Sequence, residues 1–162
     1  MVVSLVTLNY RDYEGSKQVY EQAVKIKAID HIIIVDNKSG DGSFEKLRNE
    51  LQGREKVEII QTGNNGGYSA GYNFGFKYCE KYSSEYVFLC NSDVIFNEDL
   101  VNRCLDFLKN NPQCGAVSGR MKNIEGKEAV SAWDFPRYRD DLLFCFWSMR
   151  KFVLPKIKKN SL

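Results

Sequence analysis

Short apolar runs alternate along the chain with longer stretches of helical spacing. Val2 to Leu8, rich in β-branched residues and closed by Asn9-Tyr10, predicts a first strand. Tyr13 to Lys27 carries Val19, Ala23, Val24 and Ile26 at near-helical spacing and predicts a helix. Ile29 to Val35 predicts a second, buried strand, which ends at Asp36-Asn37. The turn-rich stretch Lys38 to Ser43 follows, in which Asp41 or Ser43 is placed to cap a helix running to about Leu51. Val57 to Gln61 reads as a third strand. Thr62 to Gly67 reads as a loop whose Gly and Asn residues tolerate positive φ, and Tyr68 to Tyr82 continues as a helix. Gly71 and Gly75, one turn apart, leave that helix a smooth groove for close packing. Tyr86 to Cys90 is a fourth strand, Asn97 to Asn110 a helix and Cys114 to Gly119 a fifth strand. Ile124 to Lys127 reads as a hairpin turn with Ala129 to Trp133 returning.

The stretch Tyr86 to Phe96, YVFLCNSDVIF, is the most pointed of these. Its apolar start does not alternate, which predicts a strand buried on both faces at the centre of a parallel sheet. Asp93 then lies at the carboxyl end of that strand, where it either offers oxygens to a divalent cation or caps the turn before the next helix. Strands alternating with helices predict an α/β fold, a mostly parallel sheet with helices on both faces. Asn9, Asp36-Asn37, Asn64-Asn65-Gly66-Gly67 and Asn91-Ser92-Asp93 all fall on one edge of such a sheet, the edge where open α/β sheets bind ligands. A carboxylate at Asp36 suits a ring N–H of a base or a ribose hydroxyl, and a glycine loop at a helix start suits a phosphate. Singly, each reads as readily as a cap or a tight connection. Jointly they point to a nucleotide-diphosphate site, because structural caps need not share an edge.

The motifs VVSLVTLNY, IIIVDNKSGDGS, NNGGYSAGYNFGFKY and YVFLCNSDV, in this order, resemble the N-terminal nucleotide-sugar half of the family-2 inverting glycosyltransferases with the GT-A fold, a Rossmann-like sheet, and especially the rhamnosyltransferase-like branch. The resemblance covers about Val2 to Gly119. It implies a UDP- or dTDP-sugar donor, with Thr7, Asn9 and Asp36 around the base, and Asn37, Asn65, Gly66 and Gly67 near the ribose and diphosphate. Asn91 and Ser92 would line the donor. Asp93 would be the ligand of Mg2+ or Mn2+ at the family's D-x-D position, which here reads Asn-Ser-Asp. The resemblance also implies transfer to a saccharide or lipid-linked acceptor in cell-surface polysaccharide synthesis, with a carboxylate base to deprotonate the acceptor hydroxyl. In the family that base lies in a Glu-Asp motif well beyond strand five, and this chain ends before one. The late acids Glu125, Glu128, Asp134, Asp140 and Asp141 receive no such role, so the catalytic base is not identified. The expectation is a nucleotide-sugar-binding domain over residues 1–135 and a basic, aromatic segment over 136–162, with the acceptor half missing, shortened or supplied elsewhere. A non-catalytic nucleotide-sugar binding or assembly module is the alternative.

Composition narrows the setting. Apolar residues make up 43% and charged residues 27%, as in ordinary globular proteins. From Pro136 onward seven Lys/Arg face two acids, so that segment carries +5 and the preceding residues −3 of the net +2. The five cysteines form no C-x-x-C pair and sit in apolar surroundings, which predicts reduced thiols and a cytoplasmic location. No apolar stretch approaches the ~18 residues of a membrane span, so membrane contact is expected only peripherally, at the inner face. The segment LLFCFWSMRKFVLPKIKK has the aromatic and basic mixture of interfacial segments; covering an apolar face in a homo-oligomer or a second half is the other reading. Trp133, Phe135 and Pro136 either stack on a sugar or are buried. His31, the single histidine, opens a strand at the edge opposite the site, which reads as a structural position and speaks against a hydrolase triad. A dinucleotide oxidoreductase lacks its G-x-G-x-x-G between the first strand and helix. Nucleic-acid binding lacks any recognition motif.

Overall fold

The computed structural model describes residues 1–123 and 125–129. The chain divides into two compact units, Met1–Val117 and Ser118–Leu162. In the first unit the elements run β1 (Val3–Asn9), α1 (Tyr13–Ala23), β2 (His31–Asp36), α2 (Ser43–Leu51), β3 (Val57–Gln61), α3 (Gly67–Lys81), β4 (Tyr86–Cys90) and α4 (Glu98–Asn110). All strand pairs are parallel and the sheet order is β3-β2-β1-β4.

This order explains which helix covers which face. Parallel crossovers are right-handed, so stepping outward from β1 to β2 to β3 keeps α1 and α2 on one face. The return to β4, on the far side of β1, carries α3 over the other face. The buried clusters follow this division. Leu5, Ile32, Ile34 and Ile59 pack with Val19, Leu47, Val101 and Leu105 of α1, α2 and α4. Val6, Leu8, Ile33, Val35 and Ile60 pack under α3. Close packing there depends on glycine: a Cβ on Gly75 would stand 2.6 Å from Val6 Cγ1, and one on Gly71 3.0 Å from Leu8 Cδ2.

Three expectations are corrected. Among the described residues β4 is an edge strand of the sheet, as β3 is at the other side, and its Leu89 is 45% exposed. An unalternating apolar run signals burial of side chains; sheet position depends on the crossovers, and these put β1 and β2 in the middle. The fifth strand does not form, since Cys114 to Gly119 has no ladder and is largely exposed. That run holds one β-branched residue, Val117, and Gly115, too little to favour an extended pairing. α1 stops at Ala23 rather than Lys27, because the Ile26 N–H turns back to the Ala23 carbonyl at 3.0 Å. Ile26 and Ile29 still enter the core from the connecting turn, which is why the apolar spacing continued.

In the second unit, the Asn123 N–H donates to the Lys127 carbonyl at 2.9 Å, and Lys122 and Glu128 form a single antiparallel bridge. The expected hairpin is thus a turn with one bridge. Its return strand beyond Ala129, the boundary at 135, Trp133, Phe135, Asp134, Asp140, Asp141 and the basic segment lie outside the described residues.

Candidate functional site

The carboxyl ends of the strands carry two polar networks, one on each side of the sheet. In the register of the ladder Asn9, Asp36 and Gln61 stand side by side. Asn9 Nδ2 donates to Asp36 Oδ2 at 2.6 Å and to Ser43 Oγ at 2.8 Å. Asn9 Oδ1 accepts from the Asp12 N–H and from Ser16 Oγ at the start of α1. Asp36 also accepts from Ser39 Oγ at 2.5 Å, the Ser39 N–H at 3.1 Å and Gln61 Nε2 at 2.9 Å. Both residues are fully buried. They tie the amino ends of α1 and α2 to the sheet, and their polar atoms are engaged within the protein. Thr7 is also fully buried, and its hydroxyl finds no oxygen or nitrogen partner among the described residues. Thr7, Asn9 and Asp36 therefore lie beneath the edge and not on its surface.

Around this hub the chain is unusually bent. Arg11 (φ 59°) and Lys38 (φ 56°) are non-glycine residues in the left-handed region, in the loops after β1 and β2. Such strain persists where the surroundings over-determine it. Arg11 is held by its N–H to Ser39 Oγ at 3.1 Å and by Nε to the Ser39 carbonyl at 3.3 Å. Gly42 (φ 85°) occupies the cap position of α2 instead of Asp41 or Ser43; Asp41 accepts from the Ser43 hydroxyl and N–H, which hold its carboxyl below the usual range.

The second network lies toward α3. Asn37 points to this face, within 3.5 Å of where a Gly71 Cβ would stand. Its Nδ2 donates to Asn65 Oδ1 at 2.9 Å and to the Gly67 carbonyl at 3.1 Å. Asn65 Oδ1 also takes the Gly67 N–H, while Gly67 requires its glycine at φ 79°. Asn65, Gly66, Gly67, Tyr68 and Ser69 are all exposed, and apart from the Asn65 bond to the Gly67 N–H no side chain among the described residues caps the first turn of α3. That turn leaves amide donors and the positive end of the helix dipole to solvent.

The turn after β4 closes the edge. The Val94 N–H donates to the Asn91 carbonyl at 3.3 Å, which leaves Asn91 and Asp93 exposed and Ser92 half-buried. Tyr72 of α3 holds the turn by donating to the Cys90 carbonyl at 3.1 Å or to Asn91 Oδ1 at 3.2 Å. Burial, with smaller contributions from Cys90, Tyr68 and Asp93, raises the Tyr72 pKa beyond the ordinary tyrosine range. On the other side, the Ser92 carbonyl would stand 2.9 Å from a Cβ at Gly15, so the turn rests against the start of α1. Asp93 is exposed, and among the described residues its carboxylate has no hydrogen-bond or ion-pair partner; carboxylate oxygens are hard donors of the kind that Mg2+ or Mn2+ takes. Among the described residues no group of three or more His, Cys, Asp or Glu is assembled. A cation at Asp93 would draw most of its ligands from phosphate oxygens and water.

The Glycosyl transferase family 2 profile matches residues 5–158 of this chain. The chain belongs to glycosyl transferase family 2. Among curated proteins, none matches it. Solved structures share the fold. TarS 1-349 of S. aureus superposes with a TM-score of 0.54 at 21% identity, over 69% of this chain and 33% of that one. The mannosyltransferase PcManGT from Pyrobaculum calidifontis, in complex with GDP-Man and Mn2+, gives 0.54 at 17% identity, over 65% of this chain and 32% of that one. A 4-diphosphocytidyl-2C-methyl-D-erythritolsynthase from Anaerococcus prevotii gives 0.54 at 13% identity, over 94% and 75%. The family 2 chain thus spans about a third of the length of the first two.

Of the residues singled out from sequence, Asn37, Asn65, Gly66, Gly67 and Asn91 gather along the α3 side of this edge, with Ser92 and Asp93 following in the turn that reaches toward α1. Arg11, Lys38, Gln61 and Tyr72 were not singled out. Their signals were faint: two basic residues directly after strand-end polar pairs, a glutamine closing a strand, and a tyrosine one turn into a glycine-rich helix.

Proposed function

We propose that this family 2 chain binds a nucleoside-diphosphate sugar, UDP- or dTDP-linked, along its carboxyl edge and takes part in transferring the sugar to a saccharide or lipid-linked acceptor. One observation carries the reading: the exposed first turn of α3 and the exposed Asp93 sit on one edge, and Tyr72 of α3 bonds to the turn that carries Asp93. The α3 amides would meet the diphosphate, with Gly66 and Gly67 allowing close backbone approach. Asn37 and Asn65 would meet the ribose. Thr7, Asn9 and Asp36 would act from below as positioning residues, with Arg11 and Lys38 raised above them. Asp93 would hold Mg2+ or Mn2+, which neutralises charge on the departing diphosphate.

In the inverting reaction implied by the motifs, the acceptor hydroxyl oxygen bonds to the anomeric carbon as the bond from that carbon to the diphosphate breaks. The hydroxyl proton passes to a carboxylate base, and none of the described residues is assigned that part. Rhamnosyltransferase-like chemistry in cell-surface polysaccharide synthesis, at the cytoplasmic face of a membrane, completes the proposal; the described helices include none long and apolar enough to cross one.

Thermal stabilisation by UDP or dTDP, with and without Mn2+, tests donor binding, and product analysis with a sugar donor tests transfer. Manganese-dependent stabilisation with turnover supports the whole proposal. Stabilisation without turnover selects the binding module, and no stabilisation by either nucleotide refutes the donor site.

A further inference from the structure

The amino edge of the sheet, remote from the donor edge, carries a cavity of about 220 Å3 whose wall includes His31, Arg54, Lys56, Glu58 and Tyr82. We propose that this cavity is a second ligand site, one that takes a phosphate group. It does not rest on the donor-site reading.

Two cations in its wall are positioned but not neutralised. Arg54 Nε donates to the Glu50 carbonyl at 2.7 Å, and Lys56 Nζ donates to the Ile26 carbonyl at 3.3 Å. Backbone carbonyls fix these side chains without cancelling their charge. Neither cation forms an ion pair among the described residues. The carboxylate of Glu50, close to Arg54, is taken by Lys17 at 2.5 Å and by the Tyr13 hydroxyl. Glu58, the one acid in the wall, accepts from the Tyr82 hydroxyl, and that bond is the main reason the tyrosine is pushed up to about 12. The cavity therefore holds two permanent positive charges against one occupied carboxylate.

Its frame is set by local structure. Lys56 sits at φ 63°, unusual for a non-glycine residue, and its carbonyl accepts from the Ile32 N–H at 2.7 Å, which pins the turn before β3 to the start of β2. His31 stacks on Tyr82 with ring centroids 3.9 Å apart and planes within 16°. Stacking occupies the ring face and leaves the imidazole edge, whose nitrogens make no hydrogen bond among the described residues. A guanidinium fork, an ammonium and an imidazole edge around one hollow are the donors that a tetrahedral oxyanion takes. A phosphate group could arrive on a soluble molecule or on a lipid headgroup, and the chemistry of capture is shared.

Titration calorimetry of the whole chain with inorganic phosphate at low ionic strength, joined to flotation with phosphatidylglycerol vesicles, tests the proposal. Arg54→Gln and Lys56→Gln, both at the surface, are each expected to weaken binding about tenfold, as loss of one charge-assisted hydrogen bond does. Lys109→Gln, on α4, is expected to leave it unchanged, and nucleotide binding with Mn2+ is expected to be the same in all three variants. Phosphate heat lost in the first two variants supports a soluble ligand. Flotation lost in those variants, without phosphate heat, supports a headgroup. Binding that survives both substitutions, or neither heat nor flotation in the parent chain, overturns the site.

Discussion

Replacing Asp36 by Asn separates a residue that positions the edge from one that touches a ligand. The shape is kept, but the carboxylate becomes one acceptor and one donor. In the kinder orientation the amide oxygen keeps the Ser39 N–H and Gln61 Nε2, at 3.1 and 2.9 Å. The new NH2 then faces Ser39 Oγ, which can rotate to accept, and Asn9 Nδ2 at 2.6 Å, which cannot. One charge-assisted bond at full burial turns into a donor–donor contact, and the remaining bonds lose the help of the charge. A cost of about 2–4 kcal/mol follows from the value of hydrogen bonds to charged groups and the penalty for unpaired ones, a large part of the roughly 5–15 kcal/mol that holds a domain folded. Urea unfolding followed by circular dichroism reads it as a lower midpoint at unchanged slope. Asp36→Asn that costs under about 1 kcal/mol while donor nucleotide affinity falls more than tenfold would refute the argument, because Asp36 would then meet the ligand and not the fold.

Asp93→Ala is expected to abolish the manganese-dependent part of nucleotide binding and leave the unfolding midpoint within about 0.5 kcal/mol of the parent, as for exposed sites; calorimetry that shows equal affinity with and without the carboxylate returns Asp93 to the status of a turn residue. Gly67→Ala forces a Cβ into the left-handed region at φ 79° and should cost about 1–2 kcal/mol, with weaker diphosphate binding, both read by thermal shift with and without nucleotide. Burial pushes the Cys90 thiol up to about 12 from an ordinary 9.0. The unfolded chain therefore releases this proton first, and the stability tied to it is whole below pH 9 and declines as pH rises toward 12, by up to about 1.4 kcal/mol per unit. Urea titrations at pH 8 and 10 should show the fall, and Cys90→Val should flatten it.

The order of strands and helices was legible because each strand is a dense apolar run closed by polar residues and each helix keeps its period. Sheet position was not legible. Phe88 and Leu89 have the composition of a central strand, yet among the described residues the return crossover of α3 leaves β4 at one edge of the sheet. The edge that gathers the polar residues could be read from residue types alone, since Asn9 and Asp36 close strands and Asn65 and Asp93 lie in the loops that follow them. Which of them face solvent could not, because burial of Asp36 depends on Ser39 and Gln61, and burial of Asn9 on Ser16 and Ser43. Arg11 and Lys38 escaped notice for a different reason: nothing in an arginine or a lysine announces a positive φ.

The adjacent pair Asp36-Asn37 shows how one edge can be both rigid and open. Successive residues at a strand end face opposite sides of the sheet. Asp36 turns toward α1 and α2, where four hydrogen bonds from three residues fill its carboxylate. Asn37 turns toward α3, where its amide holds Asn65 and Gly67 and leaves the first turn of the helix uncovered. Closing the first side removes the freedom that the second would otherwise have. The β2 end is fixed by Asp36, Asn37 is fixed with it, and the glycine turn is fixed through Asn37. Tyr72 extends the same chain of contacts to the Asn91-Ser92-Asp93 turn. A diphosphate held between the α3 amides and Asp93, as proposed, would meet donors already in place and would spend little of its binding energy on ordering them.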